Sequence, residues 1–248
     1  MKTSFRNLAD KLKRYGPFSW HEWRGILLVA FVFGFILSFD DWGEGAFDAL
    51  IGVQNLLLAF VLALATVLIH HVAQRVIALR LDVRVKHDVS VPWLIVGAAV
   101  AVITRGAFPI IAGTSTEIED LRLHRLGHFR YKSGTIVAMV VALAGTLANA
   151  GIGLLLWALL HPDPETVVGL FIQLNLLMAL YSILPIPPLD GVQVFYVNRT
   201  FYAVVLGGLL GAIGSYLFFP AWGWLSIAFV ALVALCFGLL WHHVFEKN

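Results

Sequence analysis

The feature that most constrains this chain is a set of apolar runs, each long enough for a helix that crosses a lipid bilayer. Such a helix needs about 20 mostly apolar residues, because each residue adds about 1.5 Å and the hydrocarbon layer is about 30 Å thick. Runs of this kind lie at about 25–39, 47–69 (continuing as a helix toward 80), 134–160, 166–184, 202–219 and 222–241. Charge is correspondingly scarce. Only 13% of the 248 residues are charged and 60% are hydrophobic, against about 25% and 45–50% in ordinary soluble domains. So little charge cannot cover a surface facing water, which excludes a cytosolic globular enzyme, a disordered chain and a nucleic-acid binder with a basic face. The expected class is an all-α polytopic membrane protein with the lipid bilayer as its first partner. Its single cysteine, Cys236, rules out an intrachain disulfide.

The distribution of charge sets the expected orientation. The connection after the first run holds Asp40, Asp41, Glu44 and Asp48 with no Lys or Arg, and residues 161–166 hold only Asp163 and Glu165. Arg75, Arg80, Arg84 and Lys86 cluster in 75–90, and Arg105, Arg122, Arg125, Arg130 and Lys132 in 105–133. Basic segments stay on the cytoplasmic side, so the N-terminus, 75–90, 105–133 and the region of Arg199 are placed there. A seventh apolar run, about 91–112, is broken by Arg105, Gly106 and Pro109. Read as re-entrant, it keeps all 17 Lys and Arg on one face; a full crossing is the alternative. The expectation is six transmembrane helices plus a re-entrant or partial span, with both termini cytoplasmic.

Residues 1–24 form a polar, basic segment, too long for the n-region of a cleavable signal. In it Phe5, Leu8, Leu12 and Tyr15 recur at helical spacing, which predicts a short helix on the membrane surface. Trp20 and Trp23 follow as interfacial anchors. Residues 25–245 read as a single membrane domain.

Polar groups inside lipid are costly, so those at span ends and in broken helices carry the information. One such site is Leu68-Ile69-His70-His71-Val72-Ala73-Gln74-Arg75, at the expected cytoplasmic end of the second span. Another is Leu184-Pro185-Ile186-Pro187-Pro188-Leu189-Asp190-Gly191, after the fourth. Adjacent prolines cannot continue a helix, because they lack N–H donors and clash with the preceding turn. The chain must therefore unwind there, and exposed carbonyls at membrane depth need a protein-lined cavity. In the expected topology His70 and Asp190 reach a similar depth.

This combination resembles the site-2 protease family of intramembrane zinc metalloproteases, whose members carry H-E-x-x-H on one membrane helix and L-D-G after a later one. Between the two motifs, Ala144-Gly145-Thr146-Leu147-Ala148-Asn149 resembles the family's A-G-P-L-A-N, with Thr146 in place of proline. Ile77-Ala78-Leu79-Arg80-Leu81-Asp82-Val83 resembles the usual continuation of the first motif. The resemblance covers about residues 47–195. It implies zinc as the cofactor, with His70 and Asp190 at the first and third ligand positions. Gln74 stands at the second-His position, and His71 at the position of the general-base Glu.

Those two replacements fall where the chemistry would occur. A neutral amide oxygen is a poorer zinc donor than imidazole, and His71 lacks a carboxylate's charge. His70 and His71 point about 100° apart on a helix, so one ion cannot reach both without unwinding. His87, His124 or His128 are other candidate ligands. Eight residues before Asp190 the family carries Asn, thought to hold the substrate backbone; here it is Ser182. Asn149 and Asn175 remain as cavity-lining amides for substrate binding. The reading is a degenerate member that binds or regulates transmembrane clients, or an active homologue, in a prokaryotic plasma membrane. The alternatives are an active zinc metalloendopeptidase with an atypical site and a small membrane transporter.

Several other patterns read as structural. His124 and His128 have i, i+4 spacing but lie in a basic, solvated stretch, and His242 and His243 beside Trp241 read as interfacial anchors. His21-Glu22-Trp23-Arg24-Gly25 begins like a zinc motif but has Gly25 where the second His belongs, and it is set aside. Asp190 is also a candidate helix cap or partner of Arg75 or Arg80, and the glycines at 145, 151, 153, 207, 208, 211 and 214 read as helix-packing positions.

Overall fold

The computed structural model describes residues 5–43, 47–121, 134–218 and 225–246. The chain divides into two compact units, Met1–Ser133 and Gly134–Asn248, where the sequence reading treats 25–245 as one domain. His124 and His128 lie outside the described residues.

In the first unit, α1 (Phe5–Tyr15) is the expected short N-terminal helix. Lys11 ties it to the far end of α3 (Ala49–Arg80), pairing with Asp82 and donating to the Leu79 carbonyl at 3.4 Å. Ser19 starts α2 (Trp20–Leu37) with a capping box: its hydroxyl accepts from the Glu22 N–H, while the Glu22 carboxylate accepts from the Ser19 N–H at 2.7 Å. Helix α2 packs along α3, where Gly34 lets the Phe60 backbone approach. At 32 residues, α3 is about 48 Å long, well beyond the thickness of the hydrocarbon layer. From Ala63 onward its buried positions, Ala63, Thr66, Val67, His70, His71, Gln74, Arg75, Ala78 and Leu79, fall at alternating steps of three and one, a single stripe of the helix. The polar residues of the first motif therefore face inward.

The chain is mostly helical, as expected, and adds one two-stranded sheet. Strand β1 (Val83–Val89) pairs antiparallel with β2 (Thr114–Asp120), with Val83 opposite Asp120 and Val89 opposite Thr114. The cause is local: Val83, Val85 and His87 alternate with Arg84, Lys86 and Asp88, so one face of the strand is buried and the other is charged. The same register fixes the path of the broken seventh run. Residues 90–113 leave one end of the hairpin and return to it, first as α4 (Val91–Thr104) and then as an extended return. Arg105 and Gly106, at φ 52° and 78°, reverse the chain. Gly97 gives the return its room, since a Cβ there would stand 2.8 Å from the Ile110 carbonyl oxygen.

The second unit is helical throughout its described residues: α5 (Thr135–Leu160), α6 (Val167–Ser182), α7 (Gly191–Val197), α8 (Arg199–Phe218) and α9 (Leu225–Trp241), followed by a π-helical turn, His242–Glu246. Trp157, Ile172, Leu176, Ala212 and Tyr216 form one core cluster, and the Tyr216 hydroxyl donates to the Gly169 carbonyl at 3.1 Å. Phe237 sits over Gly207 and Val233 over Gly211, so α8 and α9 pack closely, whereas Gly151 and Gly214 face open space. His242 and His243 are exposed.

Four helices, α2, α3, α5 and α8, are long and apolar enough to cross a membrane. Of the other expected crossings, 166–184 is a helix of 16 residues and 222–241 one of 17 within the described chain. Large apolar side chains such as Trp20, Phe31, Ile95, Ile103, Leu159 and Phe218 point outward, an arrangement that lipid tolerates and water does not. The chain is a mostly helical integral membrane protein.

Candidate functional site

Within the first unit, the inward stripe of α3 gathers the first motif. His70 and Gln74 are fully buried, and His71 and Arg75 nearly so. The His70 and His71 rings lie 5.9 Å apart at 72°, the divergence expected of neighbours on a helix. His71 stacks instead on His87 of β1, with ring centres 3.9 Å apart and planes 10° from parallel. Neither nitrogen of His71 has a hydrogen-bond partner among the described residues. Gln74 uses its amide oxygen to accept from the Thr116 hydroxyl of β2 at 3.3 Å. The hairpin thus covers both positions at which the sequence departs from the family motif.

One turn further, Arg75 organises a buried ion-pair cluster. Its guanidinium pairs with Glu22 of α2, donates to the carbonyls of Gly16 and Pro17 at 3.1 and 3.0 Å, and lies 4.0 Å over the Phe18 ring. Glu22 also accepts from the His87 N–H at 3.3 Å. Buried charges persist when they are paired, and the terminal nitrogens of Arg75 are answered by Glu22 of α2, by the Val85 carbonyl of β1 and by the turn before α2, while Nε has no hydrogen-bond partner among the described residues. Sequence reasoning assigned Arg75 to Asp190 as one option, whereas its carboxylate partner in this structure is Glu22. The sequence names His87 as a candidate ligand beside the motif, whereas Glu22 and Thr116 are neighbours it does not reveal. For Glu22 the available signal was Ser19-Trp20-His21-Glu22, a capping-box spacing just before an apolar run; for His87 it was the period-2 alternation of β1.

A zinc fit is testable on these donors. Imidazole binds zinc along the ring plane at about 2.0–2.1 Å, so two parallel stacked rings direct their lone pairs side by side rather than at one ion. Gln74 is engaged with Thr116, and no carboxylate occupies the base position. Among the described residues, no three His, Cys, Asp or Glu side chains are grouped to hold a metal. As placed, His71, His87 and Gln74 therefore do not converge on one ion.

The second unit holds the other predicted residues. As the sequence predicts, the chain unwinds after α6, and 183–190 form an irregular turn with a cis Pro187–Pro188 bond. The Asp190 carboxylate is buried, and the residue holds the N-cap position of α7 without a side-chain cap hydrogen bond to that helix. Gly191 is required there, because a Cβ would collide with the Ile183 carbonyl. Ser182 donates to the carbonyls of Met178 and Ala179 of its own helix and accepts from the Thr146 hydroxyl at 3.5 Å. Two departures from the family pattern, Thr146 and Ser182, therefore meet each other. Asn175 donates to the Phe171 carbonyl at 2.8 Å. Asn149 is fully buried, and neither atom of its amide has a hydrogen-bond partner among the described residues.

No protein-family model matches the chain, and no match is found among curated proteins or solved structures, so the likeness to site-2 proteases rests on the motif residues alone.

Proposed function

We propose that this chain is a site-2-protease-like membrane protein whose metal centre has degenerated, and that it works by binding or regulating transmembrane clients. The observation that carries the reading is the bond between Thr116 and Gln74. At the turn where the family places its second His, this chain has a buried amide tied to its own hairpin. The stacking of His71 on His87 supports the same reading, since the base position also faces a protein partner. Six crossings with cytoplasmic termini in a prokaryotic plasma membrane complete the proposal. In it, 90–113 enters the membrane and returns, supported by the pairing of its two flanking strands. The 16 residues of α6 and 17 of α9 are accommodated by local thinning of the bilayer.

Zinc per chain in the purified protein tests this proposal. The expected value is far below one in the wild type. The double variant His71→Glu/Gln74→His should approach one, and lose it again when His70 or Asp190 is changed to Ala. Stoichiometric wild-type zinc that disappears in His70→Ala overturns the degenerate reading. Cleavage of a model transmembrane substrate, lost in the same variant, would establish an active metalloendopeptidase instead. Solute flux that depends on Asp190 would favour a transporter.

A further inference from the structure

A groove of about 440 Å³ opens in the first unit between the first turns of α2 and the connection from β1 to α4. Its chemistry changes along α2. His21 and Arg24 line the end nearest Trp20 and Trp23, and Leu28 lines it one turn further along α2, with Val89 and Val91 from the connection to α4. Gly25 keeps the floor open, since a Cβ there would stand 2.8 Å from a Val89 methyl. Asp88 faces the cationic end, 3.8 Å from His21. From His21 to Leu28 the helix rises about 10 Å, which matches the passage from headgroup layer to acyl chains. Arg24 makes no ion pair among the described residues and lies 5.5 Å over the Trp20 ring, an interfacial position that leaves its N–H fork available.

We infer that this groove binds a phospholipid whose head combines a phosphate with a primary ammonium, the phosphatidylethanolamine class. Arg24 takes the phosphate, Asp88 takes the ammonium, and Leu28, Val89 and Val91 hold the start of an acyl chain. The volume lies within the range of about 300–1,000 Å³ usual for small-molecule sites. The inference rests on α2 being a membrane helix and is independent of the resemblance to proteases.

The test is native mass spectrometry of the full chain in detergent, titrated with short-chain phosphatidylethanolamine, short-chain phosphatidylcholine and free phosphoethanolamine. The ethanolamine lipid should be retained best, because a quaternary ammonium cannot donate to Asp88, and free phosphoethanolamine should bind far more weakly for want of a chain. Arg24→Ala should weaken retention about tenfold, the loss of one charge-assisted contact. Asp88→Asn should bring the two lipids level, and Val91→Trp should lower retention of both. Asp88 and Arg24 are exposed, so these variants are expected to fold; an unchanged melting temperature checks this. Equal wild-type retention of the two lipids overturns the inference. So does free phosphoethanolamine binding as well as the lipid. An equal loss in Arg14→Ala, on an exposed part of α1, would overturn it too by reducing the effect to general charge.

Discussion

On α3, the polar groups of Gln74 and Arg75 are met by side chains and carbonyls from the hairpin, from α2 and from the turn before it. On α5, Asn149 is buried just as deeply and has no hydrogen-bond partner among the described residues. Charge explains the contrast. An unpaired buried ion costs several kcal/mol, so a guanidinium inside the fold must be answered by its own protein. A neutral amide left unpaired costs about 1–3 kcal/mol, which a fold is able to carry where the amide serves another purpose. The first region is therefore closed around its ion pair, while both nitrogens of His71 and Nε of Arg75 have no hydrogen-bond partner among the described residues. The second keeps an amide with neither polar atom hydrogen-bonded among the described residues.

The largest expected effect breaks the closed side of this contrast. Glu22→Gln should lower the stability of the detergent-solubilised protein by about 3–5 kcal/mol, measured by denaturant unfolding, because Arg75 stays buried without its counter-charge. The pair Glu22→Leu/Arg75→Met should restore most of it; no restoration would mean that the cluster does more than balance charge. On the open side, Asn149→Leu should raise stability by up to about 1–3 kcal/mol while reducing photocrosslinking to a model transmembrane client. A loss of stability would show that the amide has a partner after all and would erase the contrast.

Smaller effects sharpen it. Thr116→Val removes the hydroxyl that Gln74 accepts and should cost about 1 kcal/mol. Ser182→Ala should cost about 0.5 kcal/mol or less, because the hydroxyl mainly bonds back to its own helix; a large loss of client crosslinking in that variant would restore the family's substrate role to this position. Lys86→Ala, which removes the exposed pair with Glu119, should leave the melting temperature unchanged.

Much of this architecture was legible residue by residue. The 3.6-residue spacing of Leu8, Leu12 and Tyr15 marked α1, and Pro187-Pro188 marked the end of α6 and the irregular turn that carries Asp190. The 91–112 run was recognised as broken at Arg105 and Gly106, which are the residues that turn the chain back. The hairpin is not legible over windows of helical length. A seven-residue strand with charges at alternate positions looks merely polar in such a window. Glu22 sits in a string that begins like a zinc motif, and its capping role is legible only from its spacing to Ser19.

By itself the sequence determined a membrane protein of long helices, with its basic residues grouped and its later motif unwound, because hydropathy and proline act locally. It also determined that the first motif reads H-H-x-x-Q where the family it resembles carries H-E-x-x-H, because side-chain identity alone decides that. Only the tertiary structure decided what those positions do instead. Gln74 meets Thr116 and His71 meets His87 across 42 and 16 positions of chain, through a hairpin whose register no single segment specifies. Partner choice for a buried polar group depends on every element packed around it, and that information exists only once the chain has folded.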